Sequence, residues 1–383
     1  MSDQPWDQRA AATEMAMAEA DPESLAAAAR LRSRFSPEVA AFALTQVSLR
    51  RQAAAKFGAA AESMWFTRDG LEQASRPSVA AWRAERYRAA GVRRVIDLCC
   101  GIGADARGFS AAGLEVVGVE SDRLTAELAR ANLPGVEVIC GDATEVGPRL
   151  LAHADASTGI FIDPARRTAS GRSWRVADFS PSWDFVLSLV ASGHPLCVKL
   201  GPGLPRELIP HGVEACWVSD RGDVVEAGLW RLAGAQDNAS AAVLLPGEHR
   251  IESDPAAPGL PVAAPGRYLL DPNGAVIRAR AIDQISSQAW LLHPGVAYLS
   301  SDASIRTPFA SCFEVLQILD FNPKVLKAWV RTDRVGVLEI KKRAVDIDPA
   351  QLRRSLKPSG PNAATLIVAR TTAGTKALVC RRS

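Results

Sequence analysis

The sequence has few of the residues from which metal sites and disulfide frameworks are built. Its seven cysteines include no C-x-x-C pair, and its five histidines are isolated, with no H-x-x-x-H pair. An odd number of scattered cysteines argues against a disulfide framework and is typical of reduced thiols in a cytosolic protein. We therefore expect no metal ion and no structural disulfide, and we expect cysteines within apolar runs to behave as small core residues.

Long hydrophobic runs are also missing. No apolar stretch approaches the roughly 20 residues that a membrane-spanning helix needs, and the first ten residues, MSDQPWDQRA, lack the apolar segment of a signal peptide. We expect a soluble, cytoplasmic protein with no membrane partner. The formal net charge is only +3 and Arg greatly outnumbers Lys, so total Arg content alone says little about nucleic acid. With 383 residues, 48% of them hydrophobic, the chain can bury the cores of two or three domains.

What is present changes in character twice along the chain. Residues 1–88 carry apolar residues at spacings of three and four, which is typical of helices, and Ser36 with Pro37 is a favourable helix start. Residues 89–235 alternate short β-rich runs with helical ones, beginning with VRRVIDL and LEVVGVE. This α/β alternation predicts a Rossmann-like, doubly wound, mostly parallel sheet. Residues 236–383 contain a linker and then a smaller α+β domain.

The third region has its own turn and strand signals. We interpret residues 233–265, rich in Ala, Pro and Gly, as a linker with some local strand. Asp-Pro-Asn-Gly at 271–274 predicts a hairpin turn between RYLL and AVIRA. Further on, GVLEIKKRAV alternates like a half-buried strand, PAQLRRSL predicts a short helix, and TLIVART with KALVCRR predicts a closing hairpin.

Residues 95–106, VIDLCCGIGADA, have the pattern of a strand that runs into a nucleotide-binding turn. The turn alone also fits the dinucleotide fingerprint G-x-G-x-x-A, through Gly101, Gly103 and Ala106. In a doubly wound sheet the ligand lies beyond the carboxyl ends of the strands. The residues that end the neighbouring strands therefore discriminate between the possible nucleotides.

Acidic residues stand at the ends of the first four predicted strands. They are Asp97, Glu120, Asp142 and Asp163. A carboxylate beside the turn would oppose a pyrophosphate, whereas it would attract a ligand with a cationic end. S-adenosylmethionine has an ammonium, a sulfonium and no phosphate, so this set favours the methyl donor over NAD. Glu120, 17 residues after Gly103, is placed to accept hydrogen bonds from ribose hydroxyls, and Asp142 from the adenine amine.

Together these motifs resemble a known family. DLCCGIGAD, VVGVESD, CGDAT and IDPARR, in this order and spacing, resemble the motifs of class I S-adenosylmethionine-dependent methyltransferases. FTRDGLEQASRPSVAAWRAER (66–86) and VGVLEIKKRAVDIDPAQLRRSLKPSGPNAATLIVAR (335–370) are similar to a bacterial group of this family. Members of that group have a helical N-terminal region and a C-terminal THUMP-like domain.

The resemblance implies a set of cofactor contacts. It assigns Asp97, Gly101 and Gly103 to the methionine end, Glu120 to the ribose, Asp142 to the adenine and Gln73 to a lid over the donor. The alternatives are a helix cap at Asp97, a solvated strand end at Glu120, a turn at Asp142 and plain helix packing at Gln73. Cys99 departs from the family pattern, which more often has glycine there, so the turn at this position is of interest.

The fourth strand leads into IDPARR, where base-modifying relatives have Asn/Asp-Pro-Pro followed by an aromatic residue that grips an exocyclic amine. This chain keeps Asp163 and Pro164 but has Ala165 and Arg166 in place of the second proline and the aromatic residue. We assign Asp163 and Pro164 to orienting the nucleophile, and Arg166 to binding a phosphate. The alternative for Arg166 is pairing with nearby acids or exposure to water.

Three other residues near this segment are candidates for a role at the site: Trp174, Lys199 and Cys197. Trp174 is a candidate platform for a flipped base. Lys199 ends the fifth strand and faces the same edge of the sheet, or is an ordinary surface lysine. The segment also resembles the Asp-Pro-Pro-Arg of pyrimidine C5 methyltransferases, but Cys197 lies within a predicted strand and is not a convincing nucleophile.

The acceptor is suggested by the basic C-terminal end. Residues 320–383 contain 14 Lys and Arg against 5 Asp and Glu, a formal charge of +9, so the rest of the chain carries −6. One strand–loop–helix unit contains a basic cluster, Lys341, Lys342, Arg343, Arg353, Arg354 and Lys357, which suits phosphate contacts. The predicted RNA-binding residues are its first five members, Lys341, Lys342, Arg343, Arg353 and Arg354; a solvated charged face is the alternative. THUMP domains are associated with RNA-modifying enzymes, so the resemblance implies tRNA or rRNA as the acceptor.

Other functions stay open at this point. One is methylation of a small molecule or a protein, and another is an oxidoreductase that uses a dinucleotide. A third is a non-catalytic module that senses S-adenosylmethionine or RNA. The sequence leaves the oligomeric state open.

Overall fold

The computed structural model describes residues 6–19, 21–22, 24–166, 174–233 and 239–383. The chain divides into two compact units. The first comprises residues 1–200, 204–212 and 229–235, and the second comprises residues 201–203, 213–228 and 236–383. Among the described residues, no helix has the length and apolar character to span a membrane.

The predicted helical N-terminal region is confirmed. Within the described residues the first unit begins with five helices: α1 (Trp6–Met17), α2 (Leu25–Arg32), α3 (Pro37–Phe57), α4 (Arg68–Gln73) and α5 (Pro77–Ala89). The Ser36 hydroxyl accepts a hydrogen bond from the Val39 amide at 3.4 Å, and Pro37 occupies the first turn, where a missing N–H costs nothing. The predicted start of α3 is therefore correct.

A strand–helix alternation follows, as the β-rich runs predicted. Its elements are β1 (Arg94–Leu98), α6 (Ala104–Ala111), β2 (Glu115–Glu120), α7 (Arg123–Asn132), β3 (Glu137–Cys140), α8 (Ala143–Leu151), β4 (Thr158–Ile162), β5 (Ala165–Arg166), β6 (Phe179–Ser180), α9 (Trp183–Ala191) and β7 (Leu196–Leu200). In the first unit the strand order is β7-β4-β1-β2-β3, with parallel pairing, and β5 pairs with β6 separately. The chain therefore winds outward in both directions from β1, and the predicted doubly wound α/β fold is confirmed.

The centre of this sheet lies at the point where the winding reverses. Asp97 of β1 lies opposite Gly118 of β2 and Phe161 of β4. All five residues of β4 and of β7 are buried, which suits strands covered on both faces. Ligands bind at the carboxyl edge of such a switch point, so the fold directs attention to the loops after β1 and β4.

The second unit contains two groups of strands. The first group is β8 (Glu214–Asp220), β9 (Asp223–Arg231), β10 (Ser240–Leu245) and β11 (His249–Glu252), of which β9 belongs to this unit as far as residue 228. β8 and β10 pair in parallel, and β10 and β11 pair antiparallel. The stretch read as a linker thus contains a strand, β10, in which all six residues are buried. The local strand expected in this stretch is thus a buried sheet strand, and SAAVLL lacks polar alternation because both of its faces are covered.

The second group forms a seven-stranded sheet. Its elements are β12 (Tyr268–Pro272), α10 (Gly274–Arg278), β13 (Trp290–Leu291), β14 (Leu299–Ser301), β15 (Ala310–Asp320), α11 (Pro323–Thr332), β16 (Val335–Arg343), α12 (Pro349–Leu356), β17 (Asn362–Thr371) and β18 (Gly374–Arg382). The strand order is β13-β14-β12-β15-β18-β17-β16. The closing hairpin is confirmed, since β17 and β18 are antiparallel with Thr371 opposite Gly374.

The hairpin expected around Asp-Pro-Asn-Gly is wrong. The Asn273 side chain instead accepts a hydrogen bond from the Ala275 amide at 2.8 Å and caps α10. An asparagine followed by a helix-compatible run serves as an N-cap as readily as a turn residue. α11 and α12 pack on the face of the sheet formed by β16 to β18, through a cluster that includes Leu326, Trp329 and Leu356.

Candidate cofactor and acceptor site

A cavity of about 570 Å³ lies at the carboxyl edge of the first unit's sheet. It is bounded by the turn after β1, by the ends of β2, β3, β4 and β7, and by the segment that contains α4. Of the predicted site residues, Gly101, Glu120, Asp142, Gln73 and Asp163 line it, whereas Asp97, Gly103 and Pro164 do not. This volume is within the range of small-molecule and cofactor sites.

The turn after β1 uses left-handed backbone at three alternating positions. Cys99, Gly101 and Gly103 have φ values of 74°, 56° and 83°. A Cβ atom on Gly103 would lie 2.6 Å from Leu133 Cδ1, whereas one on Gly101 would meet nothing within 4 Å. Glycine at 103 is thus required by conformation and by space, and at 101 by conformation alone. Cys99 occupies a conformation that costs a non-glycine residue about 1–2 kcal/mol, which explains why the family pattern more often has glycine at this position.

Glu120 is held by backbone amides at the end of β2. Its Oε2 accepts a hydrogen bond from the Gly101 amide at 3.0 Å, and its Oε1 accepts one from the Asp122 amide at 2.8 Å. A carboxylate has about four lone-pair sites, so each oxygen keeps acceptor capacity toward the cavity. The arrangement suits a pair of adjacent hydroxyl donors.

Asp142 caps a helix at the end of β3 and leaves one carboxylate oxygen without a partner in the described structure. Its Oδ1 caps α8 by accepting hydrogen bonds from the Thr144 amide at 2.7 Å and the Thr144 hydroxyl at 2.6 Å. These bonds from Thr144 lower the pKa of the Asp142 carboxyl, which is exposed. Its Oδ2 has no hydrogen-bond partner in the part of the chain that the structure describes, so one oxygen is available to a donor in the cavity.

Asp97 is the most unusual group of the site. Its side chain has no solvent exposure, and neither carboxylate oxygen has a hydrogen-bond partner among the described residues. Burial raises its pKa well above the ordinary range, and the neighbouring carboxyls of Asp105 and Asp163 add to this. A buried carboxylate with no partner suits a cationic group that arrives with a ligand. The ammonium of S-adenosylmethionine fits this requirement.

A polar network on the other side of the cavity connects β4, β7 and the segment before the sheet. Lys199 Nζ lies 2.6 Å from Asp163 Oδ2, donates to the Gln73 carbonyl at 3.1 Å, and lies 3.9 Å from Asp105 Oδ2. Lys199 is therefore a buried residue of the cavity wall and not an ordinary surface lysine. Asp163 Oδ1 has no partner among the described residues and remains an acceptor at the cavity wall.

Sequence reasoning missed the groups behind this network. Asp105 accepts hydrogen bonds from Arg83 and, at 2.8 Å, from the Ser75 hydroxyl. Arg83 is fully buried and lies over the Phe161 ring, 4.8 Å from its centroid. Asp105 is the acidic residue in the first turn of α6, but its ion pair with Arg83 joins residues 22 positions apart, so no local sequence pattern indicated the pair.

The segment before the sheet forms one wall of the cavity. It contributes Thr67, Asp69, Gly70 and Ala74 in addition to Gln73. Lys56 Nζ donates to the carbonyls of residues 71, 72 and 74, at 2.5, 3.0 and 3.1 Å, which satisfies the C-terminal carbonyls of α4. The segment is therefore fixed at its end by two lysines, Lys56 and Lys199.

The loop after Asp163 is only partly described. β5 pairs with β6, which places Ala165 opposite Ser180 and Arg166 opposite Phe179. The Arg166 side chain and residues 167–173 lie outside the described part, so the structure does not place the predicted phosphate contact. The ring centroids of Trp174 and Phe179 lie 6.1 Å apart. Trp174 does not line the cavity, whereas Phe179 and Phe161 do. These two rings were not singled out in the sequence.

The predicted basic residues of the second unit fall on different surfaces. Lys341 Nζ lies 3.0 Å and Arg343 2.8 Å from the carboxylate of Asp271, on one face of β16. Lys342 alternates to the other face and is exposed, as are Arg353 and Arg354 on α12. The contiguous sequence cluster is thus divided in space, with two of its members ion-paired.

Comparison with known proteins agrees with this geometry. Two curated proteins of Mycobacterium tuberculosis, from strains CDC 1551 / Oshkosh and ATCC 25618 / H37Rv, are each named as an uncharacterized S-adenosylmethionine-dependent methyltransferase. Each is 33% identical to this chain over 369 residues, which cover 92% of this chain and 100% of the relative. A crystal structure from Porphyromonas gingivalis W83 that carries a methyltransferase designation has a TM-score of 0.82, with 22% identity and 99% coverage of both chains. This last likeness shows the shared fold.

The second unit has its own relative. The THUMP domain-like family matches residues 310–382, from the first residue of β15 to the last residue of β18. Full-length identity to the mycobacterial proteins decides between the nucleotides that the turn alone allowed, and S-adenosylmethionine is the cofactor. The chain belongs to the S-adenosylmethionine-dependent methyltransferases, and it carries a THUMP-like domain at its C-terminal end.

Proposed function

We propose that this enzyme methylates RNA, either tRNA or rRNA, and that its THUMP-like domain holds the RNA. The observation that carries the proposal is the coincidence of two features in residues 310–382. They match the THUMP domain-like family, and most of them lie in the segment that carries a charge of +9. A basic surface on a methyltransferase suits an acceptor with a phosphate backbone.

The cofactor is assigned to the residues around the 570 Å³ cavity. In the proposal Asp97, Gly101 and Gly103 surround the methionine end, Glu120 binds the ribose hydroxyls, Asp142 binds the adenine amine, and Gln73 belongs to the covering segment. The orphaned carboxylate of Asp97 and the free oxygen of Asp142 support this orientation. When bound, the cofactor supplies a methyl group already activated by a sulfonium.

The protein's own part in catalysis is then positioning. Asp163 Oδ1 and the Pro164 carbonyl would accept hydrogen bonds from the nucleophile and align it, while Lys199 holds Asp163 through Oδ2. Arg166 is proposed to bind a phosphate next to the acceptor. Phe179 and Phe161, which line the cavity, are proposed as apolar contacts for a base.

The RNA contacts proposed in the second unit are divided among several surfaces. Lys342, Arg353 and Arg354 are exposed and can contact phosphates directly. Lys341 and Arg343 share Asp271, so they would have to bind a phosphate with that carboxylate nearby. We therefore expect the three exposed residues to contribute more to RNA binding than the two paired ones.

The decisive experiment uses RNA from a strain that lacks this gene. The purified enzyme is incubated with labelled S-adenosylmethionine and total RNA, and RNA from the parent strain is the control. Label that enters only the deletion-strain RNA and is released by nuclease supports the proposal, and Asp163→Ala should reduce it. Absence of label in RNA, with S-adenosylmethionine binding intact, would refute it and direct attention to a protein or small-molecule acceptor.

A further inference from the structure

A second cavity, of about 810 Å³, lies in the THUMP-like domain between the ends of α11 and α12. Four basic residues line it: Lys327, Arg331, Arg334 and Lys357. None of its described lining residues is acidic. We call this feature the basic cleft. Of the basic cluster that the sequence predicted for phosphate contacts, the described lining of this cleft includes Lys357 but none of the other five residues.

The four cations of the basic cleft are available to a ligand. All four are exposed, and the described residues provide no ion pair to any of them. The neighbouring acid, Asp333, uses Oδ2 to accept a hydrogen bond from Trp329 Nε1 at 2.7 Å and does not line the cleft. Elsewhere in the domain, by contrast, Lys376 is paired with Asp320 and Arg381 with Glu314.

The backbone under the cleft is tightly built. A Cβ atom on Gly336 would lie 1.7 Å from the Gly360 carbonyl oxygen, and one on Gly360 would lie 1.8 Å from the Arg334 carbonyl oxygen. The Val335 carbonyl accepts hydrogen bonds from the amides of Ser359, at 3.0 Å, and Gly360, at 2.9 Å. The two loops that carry Arg334 and Lys357 are therefore joined at a crossing that only glycine permits.

The electrostatics of the cleft favour an external anion. α11 and α12 direct their C-terminal ends, which carry partial negative charge, toward this region. Four full positive charges exceed what two helix ends can offset, since each end carries about half an elementary charge. Ser359 adds a hydroxyl donor to the wall, whereas the Ser355 hydroxyl already donates to the Leu352 carbonyl at 2.8 Å. The cleft thus offers cations and hydrogen-bond donors without a competing carboxylate.

We propose that the basic cleft binds the phosphate backbone of the RNA acceptor. This inference rests on the proposed function and names the surface through which the THUMP-like domain acts. An exposed row of cations on a fixed backbone contacts phosphates without reading sequence. The cleft would therefore contribute affinity and its salt dependence, while selection of the methylated nucleotide stays with the site in the first unit.

The test compares two variants that lose the same charge. The cleft variant is Lys327→Gln, Arg331→Gln, Arg334→Gln and Lys357→Gln together. The control variant is Lys324→Gln, Arg370→Gln, Lys376→Gln and Arg381→Gln, in the same domain but outside the cleft and outside the residues proposed above. Binding of total tRNA is measured by filter retention between 50 and 300 mM salt, and folding is checked through the melting curve and S-adenosylmethionine affinity.

We expect the cleft variant to reduce the slope of log K against log salt by about 3, since each lost phosphate contact removes roughly 0.7–0.9. Its affinity should fall at least tenfold at the lowest salt, and the control variant should change the slope by less than about 1. Equal losses in both variants would show a net-charge effect and overturn the cleft. Wild-type affinity in the cleft variant would also overturn it while leaving RNA methylation standing. Failure of the wild-type enzyme to bind or methylate RNA would reject the proposed function and this inference with it.

Discussion

The substitution Asp97→Asn separates two effects of the buried carboxyl group: its effect on protein stability and its contribution to binding the cofactor. In the ligand-free protein Asp97 has no exposure and no hydrogen-bond partner among the described residues, and its pKa is raised well above the ordinary range by burial and by Asp105 and Asp163. The folded protein therefore keeps a proton that the unfolded chain releases above about pH 3.9. Because the unfolded state then binds fewer protons, this group's contribution to stability falls as the pH rises toward the folded-state pKa.

The magnitude follows from this linkage. Over the pH window between the two pKa values, the wild type loses about 1.4 kcal/mol of unfolding free energy per pH unit relative to Asp97→Asn, which has no proton to release. For a unit of this size that corresponds to about 4 °C in Tm per pH unit. We therefore expect the ligand-free variant to melt at a higher temperature than the wild type at neutral pH, with a difference that vanishes near pH 4.

S-adenosylmethionine should reverse this order. The cofactor's ammonium stabilises the ionised form of Asp97, so wild-type affinity should increase with pH and binding should release a proton. At a ligand concentration 100 times Kd the wild type gains about 2.7 kcal/mol, whereas Asp97→Asn, which cannot neutralise the ammonium, should gain little. Melting curves at several pH values, with and without cofactor, together with isothermal titration in two buffers of different ionisation enthalpy, measure both effects.

Asp142→Asn is the control for the pH dependence of stability, because the hydrogen bonds from Thr144 lower the pKa of Asp142. Its contribution to stability is present above the unfolded-state pKa and is lost as the pH falls through the folded-state pKa, the opposite sign to that of Asp97. An Asp97→Asn variant that binds the cofactor like the wild type would refute the cationic role. A stability difference that does not change with pH would refute the buried, protonated carboxyl.

Three further predictions concern other parts of the site. Lys199→Met should lower the free energy of unfolding by about 2 kcal/mol and reduce kcat/KM for methyl transfer; the loss is smaller than the 3–5 kcal/mol of a fully buried pair because Asp163 is about a third exposed. Lys199→Arg should recover part of both losses. An active, equally stable Lys199→Met enzyme would contradict the role of this network. Gly103→Ala should lower the free energy of unfolding by about 3 kcal/mol, because the new methyl group would lie 2.6 Å from a carbon of Leu133. Gly101→Ala should lower it only by the roughly 1–2 kcal/mol that a non-glycine residue costs in this backbone conformation. Equal urea midpoints for the two variants would contradict this account. Cys99→Gly should raise the free energy of unfolding by about 0.5–1 kcal/mol through relief of backbone strain, and so raise the melting temperature slightly. A lower melting temperature would show that the packing of the thiol outweighs the strain.

Much of the first unit could be predicted because its signals are local. A strand buried on both faces is a short apolar run, a cap is a Ser before a Pro, and an acid at a strand end falls at the ligand edge once the sheet is parallel. Glu120, Asp142 and Asp163 line one cavity for that reason. Local signals were weakest where one pattern serves two structures, as at Asn273, which caps a helix instead of turning a hairpin.

The sequence by itself determined the alternation of strands and helices in the first unit, the glycine turn, the strand-end acids and the positive charge of the C-terminal end, because each depends on residues close together in the chain. Only the tertiary structure decided which charges are paired. Lys199 meets Asp163 and Lys341 meets Asp271 across 36 and 70 residues, while Lys327, Arg331, Arg334 and Lys357 are left without partners in the described structure and face one cleft. Coulomb interactions depend on distance in space and on burial, and neither is written in the spacing along the chain.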